Sequence, residues 1–194
     1  QEEPIITLYQ HENAQVVEMP LEDYLLGVVA AEMDVNWPLE ALKAQAIMAR
    51  TFTLEKIASG GVTARGTDAS TDIKEFQAYN QDNINDVVRQ AIKETRGEVI
   101  KYHGQLIKAW FFADGGGITA ASSAEGLSYD KTETPYIQSV QDPGIALDEN
   151  PNKEWQASFS LAEVAKAIEA VNGRAPQSLE EAAVVEKGSS GRAT

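Results

Sequence analysis

Three groups of residues could do chemistry. Glu32 closes the apolar stretch Val28–Met33. A carboxyl in such surroundings loses solvent, and the raised pKa that follows is what a general acid requires. Lys43 and Arg50 stand seven residues apart, close to one helical face, and could clamp an anion. Gly115-Gly116-Gly117 could offer backbone N–H groups to a ligand. Each has a plainer alternative: an exposed glutamate at a helix end, two solvated charges, a flexible turn. On residue types alone the plainer readings carry more weight. No phosphate loop, dinucleotide fingerprint, nucleophile elbow or zinc-protease helix is present. Without cysteine there is no disulfide, thiolate site or Cys nucleophile. Two histidines, His11 and His103, cannot build a His-rich zinc site, and a Ser-His-Asp triad would need one of them.

These residues need elements to position them. Ile5-Ile6-Thr7-Leu8-Tyr9 reads as a strand and Val16-Val17 as a second, with His11–Gln15 turning between them. Pro20 opens a helix whose inward face is Leu21, Leu25, Val28 and Val29, ending at Glu32-Met33. Pro38 starts a longer helix to Ser59, buried through Leu39, Leu42, Ala46, Ala49, Leu54 and Ile57, and stopped by Gly60-Gly61. Residues 60–85 read as loop. Asn85 caps a helix over Asp86–Arg96 with Val87, Val88, Ala91 and Ile92 inward. Glu98–Tyr102 and Gln105–Ala113 are strand-like around the turn His103-Gly104. Asp114–Asp130 reads as a Gly/Ser/Ala-rich loop and Tyr136–Val140 as a short strand. Ser160 with Glu163 makes a capping box for a helix ending before Asn172-Gly173, and Val184-Val185 begins a last strand. Strands and helices mix without regular alternation, so the class is α+β, mixed helices with short antiparallel strands.

With 194 residues, 43% of them hydrophobic, the chain can bury a core without staples. Its net charge is -14, and the imbalance is uneven. Residues 1–42 carry nine acids and no Lys or Arg; the rest is close to balance. A surface this acidic repels phosphate backbones, which argues against nucleic acid as a partner. No apolar run approaches the ~20 residues of a membrane span. The chain begins at Gln1, so the expectation is that an upstream segment has been removed.

One resemblance changes these odds. The run Met19-Pro20-Leu21-Glu22-Asp23-Tyr24-Leu25-Leu26-Gly27-Val28-Val29-Ala30-Ala31-Glu32-Met33 is very similar to the family of stage II sporulation protein D (SpoIID) and the amidase enhancer LytB. So is Trp37–Ala46, continuing through Ala49-Arg50-Thr51-Phe52. Gln77-Ala78-Tyr79, Ala91–Gly97, Gly116-Gly117-Ile118-Thr119 and Pro135–Val140 follow in family order. The match is best over 16–142. It implies one catalytic domain over 16–194, incomplete at its C-terminus, behind an N-terminal extension over 1–15.

The resemblance implies a peptidoglycan lytic transglycosylase active in cell-wall remodelling during sporulation and engulfment. Such a lyase cleaves the MurNAc–GlcNAc β-1,4 bond without water and leaves a 1,6-anhydroMurNAc end. Glu32 matches the catalytic glutamate, acting first as acid and then as base, so no second carboxylate is required. Lys43, Gln45 and Arg50 match polar positions expected to bind sugar hydroxyls, N-acetyl groups or the lactyl carboxylate. Gln77, Thr119 and Tyr136 match the expected cleft wall. A cation close to Glu32 would lower its pKa, against the need of a general acid. Either burial outweighs the cations, or they point at substrate.

Two departures stand out. Some relatives bind zinc through a His/Cys cluster before the Gln-Ala-Tyr match; here Ser70-Thr71-Asp72-Ile73-Lys74-Glu75-Phe76 has neither residue, so no metal and no cofactor are expected. A His-Ser-like pair before the double glycine is replaced by Phe112-Ala113-Asp114-Gly115, where Asp114 either substitutes for it or caps the turn. The rival reading is a non-catalytic wall-binding module that activates a partner amidase. A weaker one is a hydrolase pairing Glu32 with Asp114 or Glu75. The partners implied are glycan strands, with or without stem peptides, and a cell-wall amidase. The location implied is extracytoplasmic, with a membrane anchor elsewhere in the full-length protein.

Overall fold

The chain passes from strand to helix at Pro20. A computed structural model describes residues 2–146, 154, 156–179, 183 and 185–192. β1 (Ile5–Gln10) and β2 (Gln15–Pro20) form an antiparallel hairpin, with Leu8 opposite Val17 and Ile5 opposite Pro20. Proline needs no N–H partner at this position, and its fixed φ of -58° lets β2 run directly into α1 (Leu21–Glu32). The first N–H groups of α1 are met from upstream. Leu21 N–H donates to the Pro4 carbonyl and Glu22 N–H to Glu3 Oε1, each at 2.9 Å. Pleat alternation sends Ile6 and Leu8 into the core. Residues 2–15 supply a strand, two core side chains and acceptors for the first N–H groups of α1.

α1 buries Leu21, Tyr24, Leu25, Val28 and Val29, the apolar stripe of a core helix. α2 (Leu39–Ala58) buries Leu42, Ala46 and Ala49 as expected. The same helix also buries Gln45, Arg50, Thr51 and Thr53. α3 (Asp86–Glu94) begins at Asn85, whose side chain accepts the Val88 N–H at 2.9 Å, and buries Val88, Ala91 and Ile92. The three helices pack on one another, and Ile6 and Leu8 join the same core. Between α2 and α3 lies β3 (Ala69–Ser70), parallel to β1 with Leu8 opposite Ala69, in the order β2-β1-β3. Only antiparallel pairs were expected. This short parallel pair needs a long crossover, here α1 and α2. Asp68 fastens it: Oδ2 accepts both the N–H and the hydroxyl of Thr7 at 2.8 Å.

The expected strands around His103-Gly104 shrink to β4 (Lys101–Tyr102) and β5 (Gln105–Leu106). Both turn residues have positive φ, 48° and 81°. Consecutive positive φ values are the geometry of a tight hairpin turn.

The chain divides into two compact units, Gln1–Phe111 and Phe112–Thr194. In the second, α4 (Ser123–Leu127) interrupts the segment read as loop; Ser122 accepts the Glu125 N–H. The expected strand at Tyr136–Val140 reduces to a bridge between Ile118 and Gln141. α5 (Leu161–Asn172) carries the expected Ser160/Glu163 capping box and ends at Gly173 in the left-handed conformation. Val184 lies outside the described residues, and Val185 is exposed and in no strand. The architecture is α+β.

Candidate functional site

Glu32 is the last residue of α1 and is half-buried. Its Oε1 accepts the Ala78 N–H at 2.8 Å. One oxygen is thus fixed by the backbone, while the other, Oε2, has no hydrogen bond among the described residues.

The bond to Ala78 brings Gln77-Ala78-Tyr79 against the helix. Three more bonds lace this loop to the same side. Asn80 N–H donates to the Gly27 carbonyl at 2.9 Å, Asn83 Nδ2 to the Ala30 carbonyl at 2.9 Å and Asn85 Nδ2 to the Val35 carbonyl at 3.0 Å. Gly27 permits the approach, since a Cβ there would stand 2.3 Å from Tyr79 Cε2. The Tyr79 ring stacks on Tyr24, with centroids 5.7 Å apart and planes 7° from parallel. Phe76 meets Tyr24 edge-on at 6.5 Å and Phe52 at 5.4 Å. Burial holds the Tyr24 phenol above the ordinary tyrosine range, and Tyr79 and Glu32 add to the effect. Tyr24 therefore remains a neutral O–H near Glu32.

Gln77 is buried, and its Oε1 accepts the Thr53 hydroxyl at 2.9 Å. The remaining expected site residues go elsewhere. Lys43 pairs with Glu40 at 3.0 Å and with Glu94 of α3 at 3.2 Å, and the hydrogen bonds to these carboxylates raise its pKa. Arg50 is 1% exposed. Its Nε and Nη2 grip Glu22 at 2.9 and 2.6 Å, and Nη1 reaches the Ala46 and Glu98 carbonyls. Arg50 thereby ties α1 to α2 and to the segment after α3. Among the described residues neither cation pairs with Glu32, so the electrostatic tension raised by the sequence does not arise through an ion pair. Gln45 is buried on α2. Thr119 and Tyr136 lie in the second unit. Thr119 Oγ1 accepts the Val140 N–H at 2.9 Å.

The glycine run is not an open ring of donors. Gly115 N–H donates to Asp142 Oδ2 at 2.6 Å and Gly116 N–H to Asp114 Oδ1 at 2.7 Å. Asp114 caps its turn. Segment 70–77 is held by Glu75, which accepts Ser70 Oγ at 2.9 Å and pairs with Arg65 Nη2 at 2.8 Å, while the Arg65 guanidinium covers the Tyr9 ring at 4.3 Å. Among the described residues no three His, Cys, Asp or Glu side chains come together to hold a metal ion. No described helix is long and apolar enough to cross a membrane.

Sequence reasoning missed Tyr24, Thr53 and the Ala78 N–H as parts of this arrangement. Tyr24 left a trace, a polar tip on an apolar stripe. The other two left none, because a backbone donor carries no residue signature and Thr53 meets Gln77 only through the fold.

Residues 9–102 match the family model of the stage II sporulation protein, SpoIID. The chain belongs to the SpoIID family through this domain. It is 31% identical over 171 residues to stage II sporulation protein D of Bacillus subtilis (strain 168), an alignment covering 81% of this chain and 48% of that protein. The Bacillus amyloliquefaciens protein of the same name is 32% identical, over 73% of this chain and 44% of the relative. The amidase enhancer of B. subtilis (strain 168) is 36% identical over 140 residues, 71% of this chain and 18% of that protein. The chain thus spans less than half the length of these relatives.

Proposed function

We propose that this domain is a peptidoglycan lytic transglycosylase of the sporulation cell wall, acting outside the cytoplasm with Glu32 as its single acid/base. The observation that carries the reading is the asymmetric Glu32 carboxyl, with Oε1 on the Ala78 N–H and Oε2 without a hydrogen bond among the described residues. The Ala78 donor fixes the rotamer, so the second oxygen can meet a glycosidic oxygen repeatedly in one geometry. The protonated carboxyl gives its proton to the GlcNAc leaving oxygen as the MurNAc C1–O bond breaks. The resulting carboxylate takes the proton of the MurNAc C6 hydroxyl, and O6 bonds to C1. The proton count on Glu32 is restored and no water enters. Gln77, adjoining Ala78 in the chain, and Gln45 are the proposed sugar-binding side chains of the first unit. Lys43 and Arg50, engaged by carboxylates, act through the packing of α1, α2 and α3.

The test is incubation with purified glycan strands, with and without stem peptides, followed by mass spectrometry of the new ends. The reading requires 1,6-anhydro ends from the parent and their loss in Glu32→Gln. Solvent oxygen in the new sugar end indicates hydrolysis instead. A second reading draws on the relative named amidase enhancer: the domain binds wall glycan and stimulates a partner amidase. It requires stimulation that survives Glu32→Ala.

A further inference from the structure

α1 and α3 enclose an open recess of about 190 Å³ on the surface of the first unit. Its floor is apolar: Ile92 is 4% exposed and Leu26 is half-buried. Its rims are charged. Arg89 and Lys93, both exposed, line it from α3. Four residues apart, they share a helix face and stand about 6 Å apart along the axis. Asp23, also exposed, lines it from α1. Glu22 and Arg96 reach the recess too, but Arg50 holds the first and Glu3 the second.

The side chains of Asp23, Arg89 and Lys93 have no ion pair or hydrogen bond among the described residues. In this chain acids outnumber bases 30 to 16, and Lys43, Arg50, Arg65, Arg96 and Lys108 are all held by carboxylates. Two neighbouring cations without one repel each other. A carboxylate shares their recess and does not close on them, so a space is left between opposite charges. A ligand matched to that space carries a carboxylate for Arg89 and Lys93, an ammonium for Asp23 and a short apolar part over Leu26 and Ile92. A lone anion would meet Asp23, and a lone cation would meet the two bases. Glu32 is nine residues beyond Asp23, about 14 Å along the helix, and lines no part of the recess.

We propose that the recess between α1 and α3 binds a zwitterionic amino-acid head group, its carboxylate on Arg89 and Lys93 and its ammonium on Asp23. The head group belongs either to a free amino acid or to the diamino-acid end of a wall stem peptide. The head-group chemistry stands on the recess alone; the wall source rests on the glycan-cleaving reading above.

The test titrates the whole 15N-labelled chain with alanine, and with N-acetylalanine and alaninamide, each of which keeps one charge. Alanine is expected to shift the backbone amides of Asp23, Leu26 and Lys93 with a Kd of about 1 mM, the scale of a few solvent-exposed charged contacts. Each one-charge analogue should bind about tenfold more weakly or worse. Asp23→Asn and Arg89→Gln should each weaken alanine about tenfold and keep the parent's melting temperature, since neither side chain has a partner to lose. A tripeptide ending in diaminopimelate, whose side chain carries the same head group, separates the sources. Binding tighter than alanine's identifies the wall peptide; equal or weaker binding identifies the free amino acid. Recess amides that neither alanine nor the tripeptide moves overturn the inference. So does N-acetylalanine bound as tightly as alanine, the behaviour of a plain cationic patch, or an Arg89→Gln protein with the parent's affinity. Anhydro ends from glycan strands beside a silent recess overturn this inference alone. A recess that binds alanine in a protein yielding no anhydro ends sinks the transglycosylase and leaves the head-group site standing.

Discussion

Arg50 closes a two-pronged ion pair on Glu22 inside the first unit, Nε to Oε1 at 2.9 Å and Nη2 to Oε2 at 2.6 Å. The pair joins the first turn of α1 to the middle of α2. Removing one partner leaves the other as a buried charge, which typically costs about 3–5 kcal/mol. Arg50→Ala and Glu22→Ala should each lower unfolding stability on that scale in urea titration. Arg50→Met with Glu22→Leu replaces both charges by apolar volume and should recover at least half of the loss. A double variant as weak as the singles would show that the carbonyl contacts to Ala46 and Glu98 dominate.

Glu32 should separate chemistry from folding. Gln at this position still accepts the Ala78 N–H but can neither give nor take the reacting proton. Glu32→Gln is expected to lose about 10²–10⁴-fold in anhydro product, the usual range for a general acid–base group. Its melting temperature should stay within about 2 °C of the parent. Glu32→Ala also frees the Ala78 N–H. It should add about 1 kcal/mol of destabilisation and faster amide exchange at Ala78. Equal exchange in the two variants would mean that the hydrogen bond does not hold the loop.

The helices were legible because each repeats its apolar residues at helical spacing between clear stops: Pro20 and Pro38 at starts, Gly60 and Gly173 at ends. β1 was legible from its β-branched run at Ile5-Ile6-Thr7, but its parallel partner β3 is two residues long and leaves no such run. Glu32 was singled out through its motif, but its setting was not visible. The Ala78 N–H has no residue type to betray it, and the loop's position depends on Gly27 leaving room for a ring fifty residues on. Lys43 and Arg50 looked like a clamp because their spacing is helical. Spacing cannot say that Glu94 and Glu22 already occupy them.

Gly27→Ala tests that fit. Alanine ordinarily favours a helix interior over glycine by about 0.5–1 kcal/mol. Here its methyl would enter the Tyr79 ring, 2.3 Å from Cε2, and overpacking costs about 1–3 kcal/mol. The expected result is net destabilisation of about 1 kcal/mol, with Tyr79 displaced from Tyr24 and reduced glycan cleavage. Tyr79→Ala alongside Gly27→Ala makes room, so the double variant should be less sensitive to the methyl than the parent. A Gly27→Ala protein more stable than the parent would refute the close approach.

Glu125 should make the second unit acid-sensitive. Its carboxylate accepts the Ala121 N–H at 2.6 Å, the Ser190 N–H at 2.9 Å and the Ser190 hydroxyl at 2.7 Å. The Ala121 N–H is the largest of the causes that hold its pKa below the ordinary glutamate value, followed by Ser190. A depressed pKa stabilises the folded form above the unfolded pKa. That contribution disappears as pH falls through the lower folded value. Hydrogen exchange at Ser190, taken relative to the intrinsic rate at each pH, should therefore rise below about pH 4. Glu125→Gln should give fast exchange already at neutral pH. Exchange in the parent that is flat from neutral to acid would exclude this clasp.

Tyr24 sets the opposite limit. Its pKa is raised, chiefly by burial, and below the ordinary tyrosine pKa of about 10 both folded and unfolded chains keep the proton. Above that pH the unfolded chain ionises while the folded one does not, so unfolding becomes easier by up to about 1.4 kcal/mol per pH unit. Urea midpoints should hold near neutrality and fall beyond about pH 10. Tyr79, also raised by burial but only half-buried, contributes less. Tyr24→Phe removes the titration and should flatten the alkaline limb. At neutral pH it removes a hydroxyl that has no hydrogen-bond partner among the described residues, so stability should be unchanged or gain up to about 1 kcal/mol. A Tyr24→Phe protein that loses alkaline stability as steeply as the parent would place the titrating group elsewhere. One that loses stability at neutral pH would mean that the hydroxyl makes a bond that its buried position conceals.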